Sequence, residues 1–200
     1  MAERPPSLLS RLARRLLLRL YRGLGLQVNG PTPQTNHCIL IGAPHTSNWD
    51  FVTFLGMVDQ FGFRPRFMGK NTLFKWPLTR FMYDMGGVPV DRSSRNNYVD
   101  QVAAEFARHD QFHLVIAPDG TRNPTGGWRT GFYHIARKAN VPIGFGWVDY
   151  ERKLCGVSPL MEMTGNFPAD MQRISDFYQS VMPNHPRLEA LRQQAVELNG

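Results

Sequence analysis

A single α/β domain is the architecture this sequence predicts, on three observations. Short apolar runs of four to seven residues alternate with longer segments whose apolar residues recur at helical spacing. The chain has 200 residues, enough for one sizeable core and too few to gain from splitting it. With 42% hydrophobic residues, 13 Phe and 4 Trp, its composition lies well clear of the disordered class. The expected sheet is mainly parallel or mixed and flanked by helices, with an amphipathic helix added at the N-terminus.

That helix is the first element, within residues 1–28. Residues 1–30 hold Arg4, Arg11, Arg14, Arg15, Arg19 and Arg22 against Glu3 alone, so +5 of the formal net charge of +7 is concentrated there. A basic terminus on a near-neutral body points to an anionic surface, either membrane or nucleic acid. At 100° per residue Leu9, Leu12, Ala13, Leu16, Leu17, Leu20 and Leu24 share one side while the arginines gather on the other, Leu18 standing alone among them. The arginines interrupt the leucine run before it reaches the ~18 apolar residues of a spanning helix. A helix lying in a membrane interface fits this pattern, with Arg11, Leu12, Arg15, Leu16, Arg19 and Leu20 as its contact residues. A helix docked on the body is the competing reading. A secretory signal fits poorly, because Arg14, Arg15 and Arg19 cut its apolar core and no small-residue cleavage site follows.

A Pro/Gly-rich linker at 29–36 leads into the body, 37–182. Strands are expected over 37–42, 64–69, 87–90, 112–117 and 142–148, and helices over 49–61, 77–84, 95–108, 130–139 and 168–181. Residues 183–200 read as a polar accessory helix. Cys38 and Cys155, the two cysteines, each lie in an apolar stretch and in no metal-ligand spacing, which predicts buried, reduced thiols in a cytoplasmic setting. The six histidines show no zinc pattern, so no metal site is expected.

Chemistry is concentrated where predicted strands end. Pro44-His45-Thr46-Ser47-Asn48-Trp49-Asp50 follows the first strand and opens a helix, placing a His and an Asp within reach of one another. In such a pair the carboxylate holds the imidazole tautomer and leaves the other ring nitrogen as a general base. Each residue alone has an ordinary explanation, Asp50 as a first-turn acid and His45 as a loop residue. Gly86-Gly87-Val88-Pro89-Val90-Asp91-Arg92 ends a second strand in a cation, Ala117-Pro118-Asp119-Gly120-Thr121-Arg122 does so for a third, and Val141-Pro142-Ile143 begins a fourth. Strand C-terminal ends in an open α/β sheet converge on one crevice, where His45, Arg92 and Arg122 are expected to meet.

Taken together, and in this order, the four segments resemble the four blocks of the glycerolipid acyltransferases, the family that includes 1-acylglycerol-3-phosphate acyltransferase. The resemblance spans about residues 37–150, and the run from Phe67 through Lys70 to Leu78 is similar to the family's lysine-containing stretch. It implies that His45 is the general base and Asp50 its orienter. Arg92 and Arg122 would bind the acceptor's phosphate, Lys70 would add a cation, and Asp119, Gly120 and Thr121 would complete the substrate turn. No cofactor is implied, since acyl-CoA or acyl-ACP enters as co-substrate. The expected partners are a lysophospholipid acceptor, the acyl donor and anionic membrane lipids, with neither nucleic acid nor metal, at the cytoplasmic face of the inner or plasma membrane as a peripheral protein. Two departures stand out: Asp119 replaces the family's Glu, and Gly144-Phe145 replaces an aliphatic residue and proline in the fourth block.

Three other functions compete. A lyso-aminolipid would change the acceptor alone. A serine hydrolase through Ser47 lacks the Gly-x-Ser-x-Gly elbow, and a nucleic-acid-binding protein led by its arginine arm lacks any following motif.

Overall fold

The stretch His37–Gly42 places Cys38, Ile39, Leu40 and Ile41 in succession, so both faces of the strand it forms are apolar. Such a strand is stable only with a layer packed on each side. The computed structural model describes residues 5–44, 49–62, 64–90, 95–118, 127–183 and 185–199. Within them His37–Gly42 (β2) lies inside a seven-stranded sheet of order β1-β7-β6-β2-β5-β3-β4. The other strands are Gln27–Val28 (β1), Pro65–Lys70 (β3), Gly87–Val90 (β4), Phe112–Ile116 (β5), Ile143–Asp149 (β6) and Leu154–Val157 (β7).

The side chains of β2 alternate between two cores. Cys38 and Leu40 meet Tyr21, Val52 and Met57, while Ile39 and Ile41 join Phe106, Phe132, Ile174 and Leu191. One layer therefore holds helices Leu8–Gly23 (α1) and Trp49–Gln60 (α2). The other holds Arg95–Arg108 (α4), Gly131–Ala139 (α5), Phe167–Val181 (α6) and Glu189–Asn199 (α7). A short helix, Thr79–Asp84 (α3), links β3 to β4. Cys38 and Cys155 are buried free thiols, and burial pushes the Cys38 thiol up to about 12.

β2 pairs in parallel with β5 and β6, β5 with β3, and β3 with β4. β2 and β5 are neighbours, yet α2 follows β2 on one face and α5 follows β5 on the other. The chain therefore leaves these two strands in opposite directions, which opens a crevice between them at their C-terminal ends.

The five strands expected from sequence are present. The sheet's other edge was not anticipated: Leu154–Val157 is four residues with a central glycine, and Gln27–Val28 only two, both too short for a periodic signal. β7 is antiparallel to β6 and makes the sheet mixed. The tail helix α7 is less peripheral than its polar composition suggests. It buries Leu191 and Ala195, and Gln194 grips both the N–H (2.8 Å) and the C=O (3.2 Å) of Trp128.

α1 is docked through a face at the border of its leucine and arginine sides. Ser7 caps it by accepting from the Ser10 N–H at 3.1 Å. The Asp84 carboxylate accepts from the Ser7 N–H (2.9 Å) and the Ser10 hydroxyl (2.7 Å), and Arg14 pairs with Asp59 at 2.6 Å. Burial raises the Asp84 pKa, but these donors and Arg80 outweigh it and hold the carboxyl below its ordinary value. At the far end the Tyr21 ring lies directly over Gly56, where an added Cβ would fall 2.0 Å from the ring. Leu9, Leu12, Leu16 and Leu20 remain outside, Leu9 at 79% exposure and Leu16 at 58%. No helix among the described residues is long and apolar enough to cross a membrane.

Gly56→Ala tests this docking. Alanine favours a helix by ~1 kcal/mol over glycine, but the aromatic ring must move to admit the methyl, an overpacking cost of about 1–3 kcal/mol. Thermal unfolding should show a net loss of stability, and limited trypsinolysis should cut α1 sooner than in the wild type.

Candidate active site

The parallel register brings the ends of the strands that precede the sequence motifs to one edge. Leu40 pairs with Val115, Val115 with Phe67 and Phe67 with Gly87, a single row across four strands running the same way. Along the chain His45, Gly120 and Arg92 each stand five residues beyond that row. His45, Arg92 and the segment Asp119, Gly120, Thr121 and Arg122 lie outside the described residues, as does Ser47. What the structure places is their anchors: Pro44 after β2, Val90 at the end of β4 and Pro118 after β5, all beyond the same end of the strands. Lys70 closes β3 opposite Val90.

The base of the third motif is closed. The Arg129 N–H donates to the Pro118 carbonyl at 2.9 Å, so the chain returns to its starting point across this segment. Gln194 then holds Trp128 from α7.

Asp50 stands in the first turn of α2 at this edge. Tyr150, just beyond the C-terminal end of β6, donates its hydroxyl to Asp50 Oδ1 at 3.3 Å, and the Thr53 hydroxyl lies 3.1 Å from the Tyr150 oxygen. Thr53 thus donates to Tyr150 and Tyr150 to the carboxylate. Burial raises the Tyr150 pKa; the Thr53 bond opposes it, and the Asp50 charge raises it further. The phenol accordingly stays protonated at neutral pH and remains a donor. Sequence reasoning missed Tyr150, which lies a hundred residues from Asp50 with no motif around it; the end of an apolar strand at that sheet edge was its one signal.

Beneath Asp50 lies an apolar cavity of about 260 Å³, walled by Phe51, Phe54 and Met57 of α2 and by Leu40, Val115 and Trp147 of the sheet. Gly42 forms part of the lining, and nothing lies within 4 Å of where its Cβ would be. The departure at Gly144-Phe145 concerns packing instead. A Cβ on Gly144 would meet Val157 and Leu40 at 2.8 and 2.9 Å, and Phe145 is buried on the opposite face against Phe177 and Tyr178. Among the described residues the site therefore offers a carboxylate braced by a phenol and an apolar cavity under it, at the end of the sheet where β2, β5 and β4 finish.

The residues placed on α1 divide as their types demand. Leu12, Leu16 and Leu20 are exposed, as are Arg11, Arg15 and Arg19 on the adjoining side.

A family model described as Acyltransferase matches residues 25–144. No curated protein matches the sequence. Among solved structures, the 1-acyl-sn-glycerophosphate (LPA) acyltransferase PlsC from Thermotoga maritima is similar, with a TM-score of 0.52 and 18% identity over 96% of this chain and 80% of that one. At that identity the likeness is one of fold.

Tyr150→Phe keeps the ring and removes the donor to Asp50. A hydrogen bond of this kind contributes roughly 0.5–1.5 kcal/mol, taken at the modest end because Tyr150 is 43% exposed. Turnover in acyl transfer should fall about two- to ten-fold with the unfolding temperature little changed; unaltered turnover would remove Tyr150 from the site.

Proposed function

Because the chain belongs to the acyltransferase family, we propose that it moves a fatty acyl group from a thioester, acyl-CoA or acyl-ACP, onto the hydroxyl of a lysophospholipid, with 1-acylglycerol-3-phosphate as the first candidate. One observation carries the reading. The shared strand register ends β2, β4 and β5, the strands that precede the His45, Arg92 and Asp119–Arg122 segments in the chain, at the sheet edge where Asp50 sits above an apolar cavity.

In this mechanism His45 takes the proton of the acceptor hydroxyl while its oxygen attacks the thioester carbonyl. The tetrahedral intermediate then breaks its C–S bond, and the imidazolium returns the proton to the leaving thiolate. No covalent enzyme intermediate forms and no cofactor takes part. Asp50, braced by Tyr150, orients the ring and stabilises its cationic form. Arg92 and Arg122 hold the acceptor's phosphate, a task suited to planar bidentate guanidinium groups, with Lys70 as a supporting cation. The acyl chain lies in the apolar cavity.

α1 supports a peripheral location. Its outward leucines enter the acyl boundary of the bilayer and its outward arginines meet anionic headgroups, as a peripheral helix at the cytoplasmic face.

His45→Ala should lower transfer by at least the roughly 10²–10⁴-fold of general-base catalysis while leaving the unfolding temperature unchanged. Arg122→Ala should raise the KM for a phosphorylated acceptor with a total loss of about ten- to hundred-fold in kcat/KM, from a charged hydrogen bond of about 1.5–3 kcal/mol. A change confined to the donor's KM would move the clamp to the donor. A bulky residue at Gly42 enters the cavity, so Gly42→Leu should shift the preferred acyl chain to shorter lengths, read from a series of thioester donors. Leu12→Gln with Leu16→Gln alters exposed positions alone, so the fold should persist while sedimentation with anionic liposomes falls.

A further inference from the structure

A second cavity, of about 480 Å³, lies at the opposite end of the strands. Its walls come from α1 (Ser10, Arg11, Arg14), from α3 (Arg80, Asp84), and from the start of β3 and the approach to β4 (Arg64, Arg66, Gly86). β3 alone separates this end from the catalytic edge by roughly 17 Å at about 3.3 Å per residue. The cavity is distinct from the one beneath Asp50, and no residue lines both.

Its chemistry is one-sided. Among the described residues five arginines line it with one carboxylate, Asp84, which already serves Ser7, Ser10 and Arg80. Asp59 pairs with Arg14, and Glu105 acts on Arg66. Arg66 is half-buried, and loss of water lowers its pKa, so its charge has been brought into the wall at a desolvation cost. Gly86, at φ +91°, has no room for a side chain: a Cβ there would stand 2.2 Å from the Pro65 carbonyl, so the backbones at the entry to β3 and β4 close together and bring Arg64 and Arg66 beside α3.

We propose that this arginine-lined cavity between α1 and the entry to β3 and β4 binds a phosphate group, and that the bound phosphate fastens α1 to the body. Planar guanidinium groups supplied from two walls suit a tetrahedral anion. Arg11 and Arg14 belong to α1, while Arg64 and Arg66 belong to the body, so one anion between them joins the two. The phosphate can be a soluble anion or the headgroup of an anionic lipid. The lipid source rests on the interfacial reading of α1; the phosphate chemistry does not.

The test uses the full chain and its Arg64→Gln/Arg66→Gln variant, with trypsin cleavage within α1 and the unfolding temperature as readouts. Each is measured with inorganic phosphate against chloride of equal ionic strength, and with phosphatidylcholine vesicles with and without phosphatidic acid. A ligand that binds the docked state alone stabilises it, by an amount that grows with its concentration relative to Kd. We expect phosphate, or phosphatidic acid vesicles, to slow cleavage of α1 in the wild type by roughly five-fold or more, and the variant to lose that protection. Protection by inorganic phosphate assigns a soluble anion, and protection by the acidic vesicles alone assigns a headgroup. If vesicles do not bind but phosphate protects, the interfacial reading fails while this site stands. Equal cleavage in every condition, or protection retained in the variant, overturns the proposal. Arg64→Gln alone, at an exposed position, decides the matter should the double variant not fold.

Discussion

The constraint on which the molecule depends is the parallel pairing of β2 with β5, two buried strands whose following helices depart to opposite faces. Parallel strands need crossovers that return the chain to the same end, so each strand in this half of the sheet finishes at one edge. α2 and α5, the helices next in the chain after β2 and β5, lie on different layers. The crevice is thus a by-product of connectivity, and any polar residue placed just beyond these strands is delivered to it. Asp50 arrives by opening α2, and Tyr150 by closing β6 on the other side of β2.

The two layers serve the two ends of the sheet unequally. On the α4–α7 side large aromatics fill the space: Phe112, Phe132, Phe145, Trp128 and Tyr178 interlock, and the buried Asp170 is satisfied by Tyr133, Thr164 and Arg173. Through Gln194 that side also holds the backbone of Trp128, ten residues after Pro118. On the α2 side Gly42 leaves an apolar hollow unfilled, and α1 closes the layer through a few specific contacts rather than a wide apolar face. The rigid layer positions polar groups and the looser one makes room for a ligand.

α1 illustrates how one helix answers three environments. Its docked face uses Ser10, Arg14 and Tyr21 with Leu17 and Leu24 beside them, Leu9, Leu12, Leu16 and Leu20 of its apolar stripe are exposed, and Arg15, Arg19 and Arg22 face outward. A two-sided view of hydrophobicity assigns such a helix either to a membrane or to the body. Here the contacts to Asp84, Asp59 and Gly56 need only a narrow strip, so docking leaves the leucines available.

The sequence by itself determined the fold class, the five strands of the parallel half and the acyltransferase motifs, because each of these is local. A strand of alternating or continuous apolar residues declares itself within six positions, and the motifs lie within a few residues of strand ends. What only the tertiary structure decided is everything that joins distant segments: the edge strands β1 and β7, the Tyr150 hydroxyl on Asp50, the grip of α7 on Trp128, and the arginine cavity assembled from α1, α3 and β3. None of these leaves a periodic mark, since each depends on which strands become neighbours, and that choice is made by packing apolar faces across the whole chain rather than by the residues that finally meet.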